Sequence, residues 1–175
     1  MKIAILNCKG TKQNYKCNAE EMYSASIFFS RQLQIVKSNY DNYYILSSKY
    51  GLITPDTIIE PYNLVFESKQ YEQRLTSMGR GYNNAERATT EYKQQWGKQV
   101  SQHPIFQQGN IDMWIGNLYF NLLKSHLPKQ NNIRKLQVNS GKGINKMKGM
   151  LGEIILMNKT IDELISDDLL KITHI

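Results

Sequence analysis

Two short apolar runs on either side of one amphipathic stripe constrain this chain most. Lys2–Leu6 carries a continuous apolar run, the signature of a strand buried on both faces. After the loop Cys8–Lys16, Asn18 and Glu21 stand at capping-box spacing. Met22, Ala25, Ser26, Phe29, Leu33 and Val36 then recur three or four apart, which predicts a helix to about Ser38 with one stripe turned inward. Tyr43–Leu46 reads as a second buried strand. Strand, helix and strand of these lengths make a βαβ unit, whose strands run parallel and cross over right-handed.

The rest of the chain extends this pattern. Glu67–Tyr82, with Gly79 and Gly81, has no clean period and reads as short helix plus loop. Arg87–Val100 reads as a helix with Tyr92 and Trp96 on one face, closed by Pro104. Ile111–Ile115 is a third strand, Leu118–Leu127 a helix stopped by Pro128, Gln130–Asn132 a turn, and Lys135–Val138 a fourth strand. Ile144–Met157 is an apolar-faced helix, and Thr160 with Glu163 caps a last helix to about Leu170. The expectation is a single α/β domain over 1–175, with a mainly parallel sheet of about four or five strands and flanking helices.

A chain of 175 residues can bury a sizeable core. No window approaches the roughly 18 apolar residues of a membrane span, and Met1 leads straight into the first strand, so no membrane partner and no signal peptide are expected. Cys8 and Cys17 have no neighbouring His/Cys cluster, which argues against a zinc site or a disulfide framework. His103, His126 and His174 are scattered. A reduced, cytoplasmic protein with no metal and no cofactor is the expectation.

The formal charge of +7 is unevenly spread. Met1–Ala19 carries four lysines and no acid. Met113–Gly152 carries Lys124, Lys129, Arg134, Lys135, Lys142, Lys146 and Lys148, again with no acid. A long acid-free basic stretch suggests a surface for a polyanion, with Lys142, Lys146 and Lys148 as candidate nucleic-acid contacts. The plain alternative is a lysine-biased solubilising surface.

Ligands of open α/β sheets bind where strands end and loops begin. The chemically densest such place is Leu46-Ser-Ser-Lys-Tyr-Gly-Leu52, followed by Pro55-Asp56 and Ile58-Ile-Glu-Pro-Tyr62. Glu60 and Asp56 are the candidate general bases, with Lys49 in support, because activating water needs a held carboxylate. Ile58, Ile59 and Pro61 around Glu60 suggest partial burial. Lys9 and Lys49 each follow a strand at what should be one sheet edge. Cys8, Lys9, Ser47, Lys49 and Glu60 are therefore expected around one concavity, with Ser48 a further candidate substrate contact and Gly51 allowing close backbone approach. Tyr50 and Tyr62 could stack on a base. In the alternative, Asp56 organises a turn, Glu60 pairs with Lys49 or Lys9, the tyrosines belong to the core, and Cys8 is a structural thiol. Neither Gly10-Thr-Lys nor Gly141-Lys-Gly has Walker spacing.

The central segment, S-x-K-Y-G-L followed by P-D and then P-Y, resembles the matching segment of the YaaA peroxide-stress family and, more closely, of its small bacterial and phage relatives. Ile3-Ala-Ile-Leu-Asn-Cys-Lys-Gly-Thr11, Met113-Trp-Ile-Gly-Asn-Leu-Tyr119 and Gly141-Lys-Gly-Ile144 resemble further pieces of that family. Tyr50 stands where many relatives carry histidine, and Asn139-Ser140 replaces a more apolar lead-in. The resemblance implies DNA association and base- or damage-related roles.

Three functions fit these residues. One is a glycosylase-like hydrolase acting on an N-glycosidic bond of a nucleobase or nucleotide. The second is a non-catalytic DNA-binding accessory protein. The third is a phage protein that binds and inhibits a host protein.

Overall fold

At the centre of the molecule β1 (Lys2–Asn7) runs through the core with Ile3, Ala4, Ile5 and Leu6 fully buried, as a strand covered on both faces requires. A computed structural model describes residues 1–67, 85–129, 132–140 and 144–174. Beside β1 lies β3 (Asn42–Ser47), parallel and in register Ile3 to Asn42, with β4 (Gly51–Ile53) antiparallel at the edge. On the other side follow β8 (Asn110–Trp114) and β9 (Ile133–Val138), both parallel, and then β10 (Leu170–His174), antiparallel. The sheet order is β10-β9-β8-β1-β3-β4. The fold is a single α/β domain around this mostly parallel sheet. Two small pairs stand apart from it: β2 (Cys17–Asn18) with β5 (Ile58–Ile59), and β6 (Leu64–Val65) with β7 (Glu86–Arg87).

Helices cover both faces. On one, α2 (Ile27–Asn39) packs on β1 and on α5 (Ile144–Met157). Tyr40, one residue past α2, reaches Asp112 of β8 with a 2.7 Å hydrogen bond. On the other face, α3 (Thr90–Ser101) packs on α4 (Asn117–Leu123), and Lys135 of β9 reaches Asn117. Asp112 is in register with Arg134, and Met113 with Lys135, so neighbouring positions point to opposite faces. The chain therefore leaves β1 towards the α2 face and leaves β8 towards the α4 face. Adjacent strands whose connections depart on opposite sides define a topological switch point, and a crevice opens beyond their carboxyl ends.

The single α/β domain with a mainly parallel sheet is as expected; β4 and β10 add antiparallel edges that bring the sheet to six strands. Several other expectations need correction. The helix expected from Asn18 to Ser38 is two: α1 (Ala19–Ser24), capped by Asn18 on the Glu21 amide, and α2, where Ser26 accepts from the Phe29 amide. Ser24-Ala25-Ser26 offers its own hydroxyl cap, and that breaks the run. Pro104 does not merely close α3; it opens a 3₁₀ turn, Pro104–Gln107. The Thr160–Glu163 capping box is present, but α6 (Ile161–Ser166) ends early and Asp168, at φ 56°, turns the chain into β10. The apolar alternation of Leu170 and Ile172 is a strand signal that the helix reading absorbed. Residues 68–82 of the expected helix-plus-loop, 130–131 of the expected turn, and Gly141 to Gly143, including Lys142, lie outside the described residues. Among the described residues no helix is long and apolar enough to cross a membrane.

Candidate functional site

The chemically dense segment after β3 folds into a hairpin held from within. Gly51, at φ +73°, pairs with Ser47 across the turn, so this glycine serves the left-handed position that closes a short loop. Ser47 is fully buried. Its hydroxyl lies 2.8 Å from the Tyr62 hydroxyl, accepts from Tyr23 at 3.2 Å, and accepts from the backbone amides of Lys49 and Tyr50 at 3.3 and 3.1 Å. The Tyr23 and Tyr62 hydroxyls are 2.7 Å apart. Ser48 donates to the Leu64 carbonyl at 2.8 Å. From α3, Trp96 donates to the Ser47 carbonyl at 3.0 Å and Tyr92 to the Ser48 carbonyl at 3.1 Å. Nearly every polar group of the turn is used in place, which is what burying them demands. Burial pushes the Tyr23 and Tyr62 hydroxyls well above the usual range, so both stay neutral.

The charged residues of this segment face outward. Lys49 is exposed, with its ammonium 5.3 Å from the Tyr50 ring centre and 5.9 Å from that of Tyr62. Tyr62 is buried and packs edge-on against Tyr50, while Lys12 sits 4.4 Å above its ring. Asp56 is exposed and accepts from the Thr54 hydroxyl, which holds its carboxyl below the usual range; it organises the turn after Pro55. The partial burial expected for Glu60 is not found. Its side chain is 69% exposed, and its nearest cation is Lys16 at 3.9 Å, not Lys49 or Lys9. The reason is that only alternate residues of a strand face inward: Ile59 is buried, and Ile58 and Glu60 point out.

The two strand-end loops are neighbours, as the βαβ reading requires, and the Cys8 amide donates to the Leu46 carbonyl at 2.9 Å. They do not share one concavity. A cleft of about 1180 Å³ opens at the switch point between β1 and β8, and of the expected group it takes Cys8 and Lys9 while Ser47, Ser48, Lys49, Tyr50, Gly51, Asp56, Glu60 and Tyr62 lie outside its lining. Its floor is the end of β8, with Trp114, Ile115 and Gly116. Asn7 fastens the floor by accepting from the Gly116 amide at 3.0 Å and donating to the Cys8 carbonyl at 2.7 Å. The Cys8 sulfur lies 3.5 Å from the Tyr119 hydroxyl.

Charged groups line this cleft unevenly. Lys9, Lys93 and Lys148 face it, with Glu67 as the one carboxylate among its described lining residues. Lys9 sits 4.4 Å above the half-buried Phe28 ring. Burial pushes its ammonium down to about 8, against the raising influence of Cys8 and Glu67. Lys12 is lowered for the same reason. Gln32 of α2 is only 5% exposed, lines the cleft, and its Oε1 has no hydrogen-bond partner among the described residues. A buried amide oxygen left open at a cleft wall is a ready acceptor for a ligand donor.

Two cations of the acid-free stretch, Arg134 and Lys135, are withdrawn from a basic face. Arg134 makes a forked pair with Asp112 at 2.5 and 3.1 Å and also approaches Asp162 at 3.5 Å. Lys135 is buried. Lys146 is exposed on α5, and Lys148 lies one turn-half further on at the cleft. The residues that sequence reading missed are Phe28, Gln32, Glu67, Lys93, Asn117 and Gln137. Asn117 alone carried a visible signal, standing just after a strand end in the Met113–Tyr119 piece.

The sheet order and the switch-point crevice define an α/β domain of the doubly wound kind. A family model matches residues 3–151, and the chain belongs to that family, a family of unknown function designated DUF6884. No curated protein and no solved structure matches the chain.

Proposed function

We propose that the switch-point cleft binds a nucleotide or a nucleotide unit of a nucleic acid, and that its groups serve hydrolysis of the N-glycosidic bond. The observation that carries this reading is a cleft in which Lys9 sits over the Phe28 ring within the electrostatic influence of Glu67, and which Lys93 and Lys148 also line. Glycosidic hydrolysis needs a carboxylate to take a proton from water, a donor for the departing base, an apolar face for that base and cations for phosphate. In this assignment the oxygen of water bonds the anomeric carbon as the carbon–nitrogen bond breaks. Its proton passes to Glu67, and the departing base takes a proton from Lys9. An ammonium at about 8 donates far more readily than an ordinary lysine. Gln32 Oε1 is the acceptor for a base N–H or a sugar hydroxyl. The resemblance to YaaA-like proteins points to the same substrate class.

The test is incubation of the full chain with nucleosides, nucleoside 5′-monophosphates and modified and unmodified DNA, following release of free base. Release that disappears in Glu67→Gln supports the reading. Salt-sensitive DNA binding with no release would favour a non-catalytic accessory protein instead. For that second reading the specific observations are the exposed Lys146, the Lys148 that lines the cleft, and the engagement of Asp56 and Glu60 in a turn and a surface ion pair.

A further inference from the structure

Among the described residues, Lys135 is a charged group within the sheet that has no carboxylate partner. It is 5% exposed, on the α4 face of β9, and no acid among the described residues pairs with it. Its ammonium donates to Asn117 Oδ1 at 2.5 Å and to Gln137 Oε1 at 3.2 Å, and lies 5.5 Å from the Phe120 ring centre. Arg134, the neighbouring cation on β9, differs in having Asp112 as a bidentate partner. A buried cation held only by neutral groups is costly, and its field is felt strongly in a low-dielectric setting.

Asn117 and Gln137 both line the cleft. Because an ammonium only donates, the atoms that face Lys135 must be the two amide oxygens. Each NH₂ group is then turned away from Lys135. Two amide donors backed by a buried positive charge are complementary to an anion with several acceptor oxygens.

We propose that Asn117, Gln137 and the buried Lys135 behind them form an anion subsite of the cleft, which takes a phosphate group. The missing counter-charge of Lys135 is supplied by the ligand. Lys135 acts as a positioning residue: it fixes the orientation of the two amides and adds its field, while they make the contacts. Only the identity of the rest of the ligand rests on the nucleotide reading; a free phosphate would satisfy the same groups.

Calorimetric titration of the full chain with inorganic phosphate, a nucleoside and its 5′-monophosphate separates these points. Native protein should bind inorganic phosphate, and the 5′-monophosphate more tightly. Lys135→Met should keep or raise the melting temperature, since it removes an unpaired buried charge, and weaken phosphate binding about tenfold or more. Asn117→Asp is the second variant, because it gives Lys135 an internal counter-ion. It should fold at least as stably and lose phosphate binding to a similar degree. No phosphate binding by native protein, or equal binding by the native chain and both variants, would overturn the subsite. Phosphate binding that both variants lose, with no gain for the 5′-monophosphate over phosphate, would uphold the subsite and count against the nucleotide reading.

Discussion

The hairpin after β3 and the cleft beyond β1 and β8 sit at the same edge of one sheet, yet they use polar residues in opposite ways. In the hairpin, Ser47, Ser48, Tyr23 and Tyr62 satisfy one another, and Tyr92 and Trp96 lock the turn carbonyls from α3. In the cleft, Gln32 Oε1 is open and Lys135 lacks a counter-charge among the described residues, and Lys9 is half-buried with its ammonium pushed down. A fully satisfied network gives stability and a fixed shape. Groups left unsatisfied at a concave surface give binding, because the ligand completes them. A dense run of functional side chains is thus not in itself a site; what matters is whether their partners already lie inside the protein.

The comparison breaks most visibly at Trp96, which is buried, donates to Ser47 and packs on Phe66 and Tyr119. Trp96→Ala should cost about 3–5 kcal/mol in denaturant unfolding, through a cavity and an orphaned carbonyl. The surviving folded protein should still bind cleft ligands. Glu67→Gln should do the reverse: melting temperature close to native, and base release reduced about a hundredfold.

Lys9 sharpens the comparison through pH. Its folded pKa of about 8 lies below the unfolded value, so the charged form is penalised in the fold at neutral pH. That penalty is present in full below about 8 and is relieved as pH rises towards the unfolded lysine value, because the folded chain gives up the proton first. Lys9→Met should therefore melt a few degrees higher than native at pH 7, and the difference should fade in melts above pH 10. The smallest effect is expected at Glu60. With its carboxylate exposed and 3.9 Å from Lys16, Glu60→Gln should change stability by less than about 0.5 kcal/mol and leave any base release unaltered.

Much of the fold was legible in the sequence for physical reasons. The apolar runs at Ile3–Leu6 and Tyr43–Leu46 have no soluble use except as buried strands, and the caps at Asn18 and Thr160 are local chemistry. The edge strands β4 and β10 were missed because three to five residues at a rim bury little and carry a weak pattern. The site was less legible. Cys8 and Lys9 follow β1, whose end is part of the switch point, so strand-end reasoning reached them. The same reasoning applied to Ser47, Lys49 and Glu60 failed to reach the cleft, because it located strand ends without the strand order. Only the order β8-β1-β3 shows that the crevice opens towards β8 and away from β4. Lys135 read as one more surface cation in a basic stretch; its burial depends on register with Met113 and on α4, which no local pattern announces.

The central claim, that ligand enters the switch-point cleft and not the hairpin, is tested most directly by titrating isotope-labelled protein with nucleoside 5′-monophosphates and following backbone and side-chain amide resonances. The account predicts saturable shifts at Lys9, Gly116 and the Asn117, Gln137 and Gln32 side-chain amides, with Lys49, Tyr50 and Glu60 unmoved. Shifts centred on Lys49, Tyr50 and Glu60, with the cleft amides silent, would contradict it.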